Sequence, residues 1–377
     1  MSLDVGIDLS SLVYRRGVSR YTGNLARALD RQPGIKLHVF GSSLRQRRQL
    51  QLLVSEYLPN LPAERLALRR LPPSVLRLSW KLGYRRVRSI WPKLSVFHSW
   101  DWLQPPDTDL PLVSTVHDLA ILKFPETAHP RVLKAHQESW RILKERRAQL
   151  TTVSRATKQD LIELLGFSEQ RVHVTSSALP QESIDVTERL SEEQYQQLVR
   201  QWRLDQPFIL FVGTLEPRKN VERLIQAWQP LRDDFQLILA GAAGWQELPA
   251  ADRHPQLRWL GQVSDQLLAV LYEQAQLLAY PSLYEGFGLP ILEAFYHGTP
   301  VVTSAAGALP EVAGNAAELV NPESVESIRQ GIVTVLEESA AAQRQRLKKM
   351  VLRLQLFDWQ YVAEQTVQVY QQAVSLP

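Results

Sequence analysis

The 377-residue chain contains no cysteine. That absence excludes disulfide bridges, thiol catalysis and cysteine-ligated metal sites together. No run of 18 or more apolar residues occurs, so no stretch reads as a membrane-spanning helix. The eight histidines are scattered without HExxH or a similar ligand spacing, and no metal site is expected. The opening MSLDVGIDLSSLVY lacks a basic segment followed by an apolar core. It reads as a first strand rather than a signal peptide, and a cytoplasmic protein is expected. Internal repeats and low-complexity tracts are also missing.

What is present is an ordinary globular composition, 45% hydrophobic and 22% charged. At roughly 150 residues per domain, the length predicts two domains, each with its own core and a cleft between them. Net charge is only +4 but is divided unevenly: residues 1–185 hold 28 Lys+Arg against 17 Asp+Glu, the remainder 15 against 22. Most of the excess lies in residues 45–93, where twelve basic residues face only Glu56 and Glu64 and alternate with Leu76, Leu78, Trp80, Leu82, Tyr84 and Trp91. Such a stretch suits an anionic membrane surface, nucleic acid, or a solvated helix whose apolar side packs inward. The solvated helix is the leading reading, an anionic membrane surface met through residues 45–93 stands beside it as a candidate partner, and nucleic acid is not expected.

Short apolar runs alternate with longer amphipathic segments. LHVFG (37–41), SVFHS (95–99), LVSTVHD (112–118) and QLTTVS (149–154) read as buried strands, and the rhythm restarts at FILFVGTL (208–215) and FQLILAG (235–241). Helical stretches such as SRYTGNLARALDRQ lie between them. Strand–helix alternation predicts parallel sheets with helices on both faces. The polar, acidic segment at about 178–206 separates the two series and reads as a linker.

In open parallel sheets ligands bind beyond the carboxyl ends of the strands, so the loops after strands are where chemistry is sought. In VGTLEPRKNVERLI (212–225), Arg218 and Lys219 precede a helix for which Asn220 is a suitable N-cap, an arrangement favourable to a diphosphate. In YPSLYEGFGLPILE (280–293), Gly286 and Gly288 let backbone amides approach a ligand and Pro290 begins a helix. Glu285 before that helix and Glu293 one turn into it are carboxylates suited to vicinal diols, although Glu293 equally suits a helix-dipole role. His117 and Asp118 follow a strand in TVHDL, and Gly17 stands in a turn between the first strand and a helix. Each of these last features by itself fits an ordinary structural residue.

Taken together, the motifs EGFGLPILE, VGTLEPRKN, TVHDL with TVSRATKQDLIE, and the closing FDWQYVAEQTVQVYQQ resemble the retaining glycosyltransferases of family 4, in their mannosyltransferase-like branch. The resemblance covers nearly the whole chain. It implies an α/β GT-B fold, with two Rossmann-like doubly wound parallel-sheet domains facing a cleft. The first, residues 1–182, would bind the acceptor, with a C-terminal helix at 360–377 packing back on it; the second, 183–359, would bind a nucleotide-sugar. Position by position it implies that Arg218 and Lys219 bind the donor diphosphate and Glu293 the ribose. Glu285, with amides around Phe287 to Leu289, would contact the donor sugar. His117 would lie near the reacting carbon, Asp118 would orient its loop, and Gly17 would admit the donor phosphates. No cofactor is implied beyond a GDP- or UDP-linked sugar as co-substrate, and no divalent metal, because the arginine, the lysine and a helix terminus supply positive charge. The acceptor would be a glycan or lipid-linked sugar, met at the cytoplasmic face of the membrane. Two departures stand out. Ser19 occupies a place that is frequently glycine, and SSALPQES (176–183) replaces a usual Asn-Gly-Val-Asp turn. They keep a second reading open, a catalytically silent nucleotide-sugar-binding partner of a biosynthetic assembly.

Overall fold

A computed structural model describes residues 2–14, 17–127, 129–244 and 254–375. The chain divides into two compact units, one formed by Met1–Ala178 with Asp358–Pro377 and the other by Leu179–Phe357. In unit 1 the strands are β1 (Leu3–Asp8), β2 (Ile35–Ser42), β3 (Leu66–Arg69), β4 (Val96–Trp100), β5 (Leu112–Val116), β6 (Gln149–Thr152) and β7 (Val172–Val174). They form one parallel sheet in the order β3-β2-β1-β4-β5-β6-β7. In unit 2, β8 (Phe208–Val212), β9 (Gln236–Ala240), β10 (Leu257–Gly261), β11 (Leu277–Tyr280), β12 (Val301–Ser304) and β13 (Glu318–Val320) form a second parallel sheet, ordered β10-β9-β8-β11-β12-β13.

The two orders are the same doubly wound pattern. Each sheet reverses direction between its first and fourth strands, β1 and β4 in unit 1, β8 and β11 in unit 2. At such a switch point the loops leaving adjacent strands diverge to opposite faces and open a crevice. Helices cover both faces, so β4, β5, β9, β11 and β12 are buried along their whole length and read as unbroken apolar or small-polar runs. The edge strands β3 and β13 carry no such run and were not legible as strands: β3 is a four-residue LALR inside the basic segment and β13 a three-residue ELV.

The segment read as a linker is ordered helix over most of its length. Gln181–Arg189 and Glu192–Trp202 are helical, and both pack against the helix Asp265–Gln274 in unit 2. A capping box starts the second: Ser191 accepts from the Gln194 amide while the Gln194 side chain accepts from the Ser191 amide.

The basic segment also resolves into parts. Leu76, Trp80, Val87 and Trp91 are buried in the unit 1 core, whereas Leu78, Leu82 and Tyr84 point outward at 57%, 61% and 66% exposure. Arg88 is tied inward, its amide bonded to Asp107, its guanidinium donating to the Pro92 and Asp109 carbonyls, and its Nε in ion-pair range of the Asp109 carboxylate at 3.3 Å.

The helix Trp359–Ser375 begins after Asp358, whose carboxylate accepts from the Tyr361 amide, and lies against the helix Gly17–Asp30 and β4 to β6. It is fixed by a buried chain of bonds: the Tyr370 hydroxyl meets His98 Nδ1 at 2.7 Å, His98 Nε2 meets Thr115 Oγ1 at 2.7 Å, and Thr115 meets Thr151 at 2.7 Å. Burial holds His98 neutral, down to about 3, with His117 adding to the effect. Leu376 and Pro377, within the expected 360–377 helix, lie outside the described residues.

Candidate functional site

β8 and β11 are neighbours at the unit 2 switch point, and each delivers part of one ionic cluster. After β8 the chain makes a short 3-10 turn, Pro217–Lys219, that turns both basic side chains toward the end of β11. There Glu285 Oε1 accepts from Lys219 Nζ at 2.6 Å and from the Tyr280 hydroxyl at 2.8 Å, while Oε2 accepts from Arg218 Nη1 at 2.8 Å. Arg218 also donates from Nε to Glu216 at 3.0 Å and from Nη1 to the Tyr284 carbonyl at 3.2 Å. Lys219 and Glu285 are buried, at 7% and 6% exposure.

Charge in this pocket is set by neighbours rather than by solvent. Burial pushes the Glu285 carboxyl up, but the Lys219 ammonium and Arg218 guanidinium together outweigh it and hold it at about 2. Burial lowers the Lys219 ammonium; Glu285 pulls it back and Arg218 presses it further down, leaving it below the ordinary lysine value. Burial, and then Glu285, raise the Tyr280 phenol well above its ordinary value. The cluster therefore holds Arg218 and Lys219 against an ionised Glu285, with Glu216 bonded to Arg218 on its other side. Of the ammonium's three protons, two are committed, to Tyr280 and Glu285.

Asn220 stands at the N-cap position of the helix Val221–Trp228 but does not cap it with its side chain, contrary to expectation. Its backbone is left-handed at φ 62°, and its amide instead donates to the carbonyls of Pro281 and Pro322 at 3.0 and 2.6 Å, tying the loops after β8, β11 and β13 together. The reason is geometric. A residue that leaves a 3-10 turn with positive φ points its side chain away from the first-turn amides.

Glu293 lies one turn into the helix Leu289–Tyr296, buried, with its carboxylate accepting from the Tyr272 hydroxyl at 2.9 Å and facing Ser183 Oγ at 3.4 Å. Gly288, at φ 111°, starts that helix; a Cβ there would stand 2.7 Å from Leu309 Cδ2. Gly286 and Phe287 are buried in the same turn, Phe287 edge-on to Phe357.

In unit 1, His117 follows β5 and sits in an aromatic cage, edge-on to Tyr21 at 4.9 Å and stacked on Trp100 at 5.8 Å. Burial lowers it to about 4 against the pull of Asp101, so at neutral pH it is an uncharged imidazole. Its Nε2 is buried with no hydrogen-bond partner among the described residues. Asp118 Oδ1 accepts from the Ala120 amide at 2.8 Å and so braces its own loop. Gly17 is the first residue of the helix Gly17–Asp30; two residues on, the Ser19 hydroxyl donates to the Ser11 carbonyl at 2.6 Å.

Arg218, Lys219 and Glu285 are thus joined in one contact, Glu293 is seated on a different pair of hydroxyls, and His117, Asp118 and Gly17 belong to unit 1. Sequence reasoning missed Tyr280, Tyr272, Glu216 and Ser183. Tyr280 ends β11, five residues before Glu285, so its place could have been read; nothing in the sequence joins Ser183 to Glu293, 110 residues on. Among the described residues no group of three or more histidine and acidic side chains is placed to hold a metal ion, and no helix is long and apolar enough to cross a membrane.

Two family models match successive parts of the chain. Glycosyltransferase Family 4 covers residues 15–179 and Glycosyl transferases group 1 covers residues 194–351. O-antigen chain mannosyltransferase B of Escherichia coli is 34% identical over 269 residues, 68% of this chain and 69% of that protein. Sucrose-phosphate synthase from Thermosynechococcus elongatus superposes with a TM-score of 0.69 at 20% identity over 100% of both chains. The HepE protein of Anabaena, solved in complex with UDP-glucose, gives 0.69 at 17% identity over 99% of this chain and 100% of its own. These two likenesses establish the fold, two Rossmann-like parallel-sheet domains of the GT-B type. On the family matches and on the identity to the mannosyltransferase, the chain belongs to the group 1 glycosyltransferases with a family 4 N-terminal region.

Proposed function

We propose that the protein transfers a hexose from GDP-mannose or a UDP-sugar to a glycan or lipid-linked acceptor in polysaccharide or glycolipid synthesis, with retention at the anomeric carbon and without a divalent metal. The observation that carries this reading is the Arg218–Lys219–Glu285 cluster at the unit 2 switch point. Two cations fixed beyond adjacent strand ends, beside the start of the helix Val221–Trp228, are suited to a diphosphate. The name of the mannosyltransferase relative supports mannose and a cell-surface polysaccharide; the UDP-glucose bound to HepE supports a nucleotide-sugar donor.

In this reading Lys219 presents its third proton to the donor diphosphate and Arg218 sits beside it. Because Glu285 and Glu216 already hold both cations in place, little reorganisation is needed as charge grows on the leaving nucleotide. Glu293 binds the ribose diol. Glu285 and the amides from Phe287 to Leu289 meet the donor sugar. Front-face attack completes the step: the anomeric carbon–phosphate oxygen bond breaks, the acceptor oxygen bonds the same face, and its proton passes to the departing phosphate. Glycosidase-type paired carboxylates are not invoked, since Glu285 is locked to two cations.

Contact with an anionic membrane face fits the outward Leu78, Leu82 and Tyr84 beside exposed Arg85 and Arg86.

A thermal-shift screen of wild type and Glu293→Ala against UDP- and GDP-sugars and the bare nucleotides tests the donor assignment. A donor at about 100 times its dissociation constant adds roughly 2.7 kcal/mol to wild type. The expected result is a shift in wild type that is reduced in the variant, with slow donor hydrolysis in the absence of acceptor. Binding without any turnover of donor would select the silent partner instead, and no shift with any nucleotide would sink the reading.

A further inference from the structure

Unit 1 holds a cavity of about 710 Å³ at its own switch point. Asp8 ends β1, Ser42 ends β2 and Trp102 follows β4, and all three line it. Two helices supply most of the remainder: Leu76 and Arg77 come from Pro73–Lys81, and Arg131, Val132 and His136 from Pro130–Glu145.

The charges lining this cavity are unbalanced. Asp8 is the one acid among the lining residues, and it already accepts from the Ser10 amide at 2.8 Å and hydroxyl at 2.5 Å. His136 is matched by Asp101 at 3.1 Å. Arg77 and Arg131 have no carboxylate within ion-pair distance among the described residues, and Arg77 Nε is buried with no hydrogen-bond partner. A buried donor left unmatched is costly, and a guanidinium fork is shaped to take two oxygens of one anion. Beside these two forks, Leu76, Leu103 and Val132 give an apolar wall, and Asp8 and Ser42 give acceptors for hydroxyls.

We infer that this cavity receives the acceptor through a phosphate ester: Arg77 and Arg131 grip the phosphate, the sugar faces Asp8 and Ser42, and the apolar wall takes what lies beyond the phosphate. The acceptor class is then a glycosyl phosphate or pyrophosphate rather than a neutral sugar, an inference that rests on the transferase reading above. Soluble sugar phosphates and sugar phosphates carried on a lipid share this chemistry.

Calorimetric titration of the full chain separates the cases. The probes are the 1-phosphates of mannose, glucose and N-acetylglucosamine, the matching methyl α-glycosides, and the decyl phosphodiesters of the same sugars; GDP and UDP are titrated separately. At least one 1-phosphate is expected to bind tenfold or more tightly than its methyl glycoside. Arg77→Gln and the exposed Arg131→Gln should each erase most of that ratio while nucleotide binding stays at the wild-type level. A decyl ester that binds more tightly than the 1-phosphate assigns the lipid-borne source, and the reverse order the soluble one. Equal binding of phosphate and methyl glycoside, no binding of either, or a ratio that survives both substitutions overturns the inference. Failure of wild type to bind any nucleotide would instead overturn the donor assignment, with the phosphate preference still decided by the ratio.

Discussion

Glu285 is a carboxylate whose charge is decided by two side chains more than 60 positions away in sequence. Its folded value of about 2, against an ordinary 4.5, is a depressed one. The stability it contributes is therefore complete above about pH 4.5 and is lost as pH falls from there through about 2. Glu285→Gln removes the negative charge and leaves Lys219 buried beside Arg218, a loss on the order of 3–5 kcal/mol where burial is complete. The gap between wild type and Glu285→Gln, followed by urea unfolding from pH 7 downward, is expected to be largest at neutral pH and to narrow between pH 4.5 and 2. A gap that does not change with pH would show that the carboxylate is not held ionised by the two cations. The residue types were legible in the sequence: Arg218, Lys219 and Glu285 stand in the loops after strands, and Glu293 one turn into the helix that follows, as expected. Their pairing was not, because it depends on β8 and β11 lying side by side, and a one-dimensional pattern does not state which strands are neighbours.

At the scale of elements, the central strands were legible because each is buried on both faces and carries a continuous run, as in LVSTV and QLILA. The short edge strands β3 and β13 were not, having too few residues to show a period. The segment 178–206 was misread as a linker because its helices are amphipathic with low apolar content. Their helical nature was visible only in the cap signature Ser191-Glu192-Glu193-Gln194, and their packing partner, Asp265–Gln274, is distant in sequence. Helix starts decide where the site's side chains point. Gly288 is the case with a definite cost: Gly288→Ala meets both a positive φ and the Leu309 methyl, and should lose on the order of 1–3 kcal/mol. The expected observation is a lower urea midpoint for the variant than for wild type. An unchanged midpoint would mean that the turn relaxes without loss.

At the scale of the molecule, the basic excess of residues 45–93 is only partly available to a partner. Arg88 is committed to Asp109 and to carbonyls, and Lys81 lies 3.2 Å from Glu138, whereas Arg85 stands exposed next to Tyr84 and the exposed Arg86 reaches Asp109 only at 3.8 Å. Charge reversal of Arg85 and Arg86 should lower flotation with phosphatidylglycerol vesicles at low salt, where each basic residue near the surface contributes about 1 kcal/mol. Neutral vesicles should show little difference between variant and wild type; equal flotation of both on anionic vesicles would leave the exposed face without a membrane role. The sequence by itself determined the alternation of strand and helix, the division into two series, and the presence of cations and acids in loops after strands, because each of these is written in local periodicity and turn chemistry. Only the tertiary structure decided that Lys219 and Arg218 meet Glu285, that Ser183 faces Glu293, that Trp80 and Trp91 turn into the core while Tyr84 does not, and that Arg77 and Arg131 share one cavity. Each of these depends on which strands are adjacent and which helix face is covered, and those are set by the packing of the whole sheet and not by any stretch of chain alone.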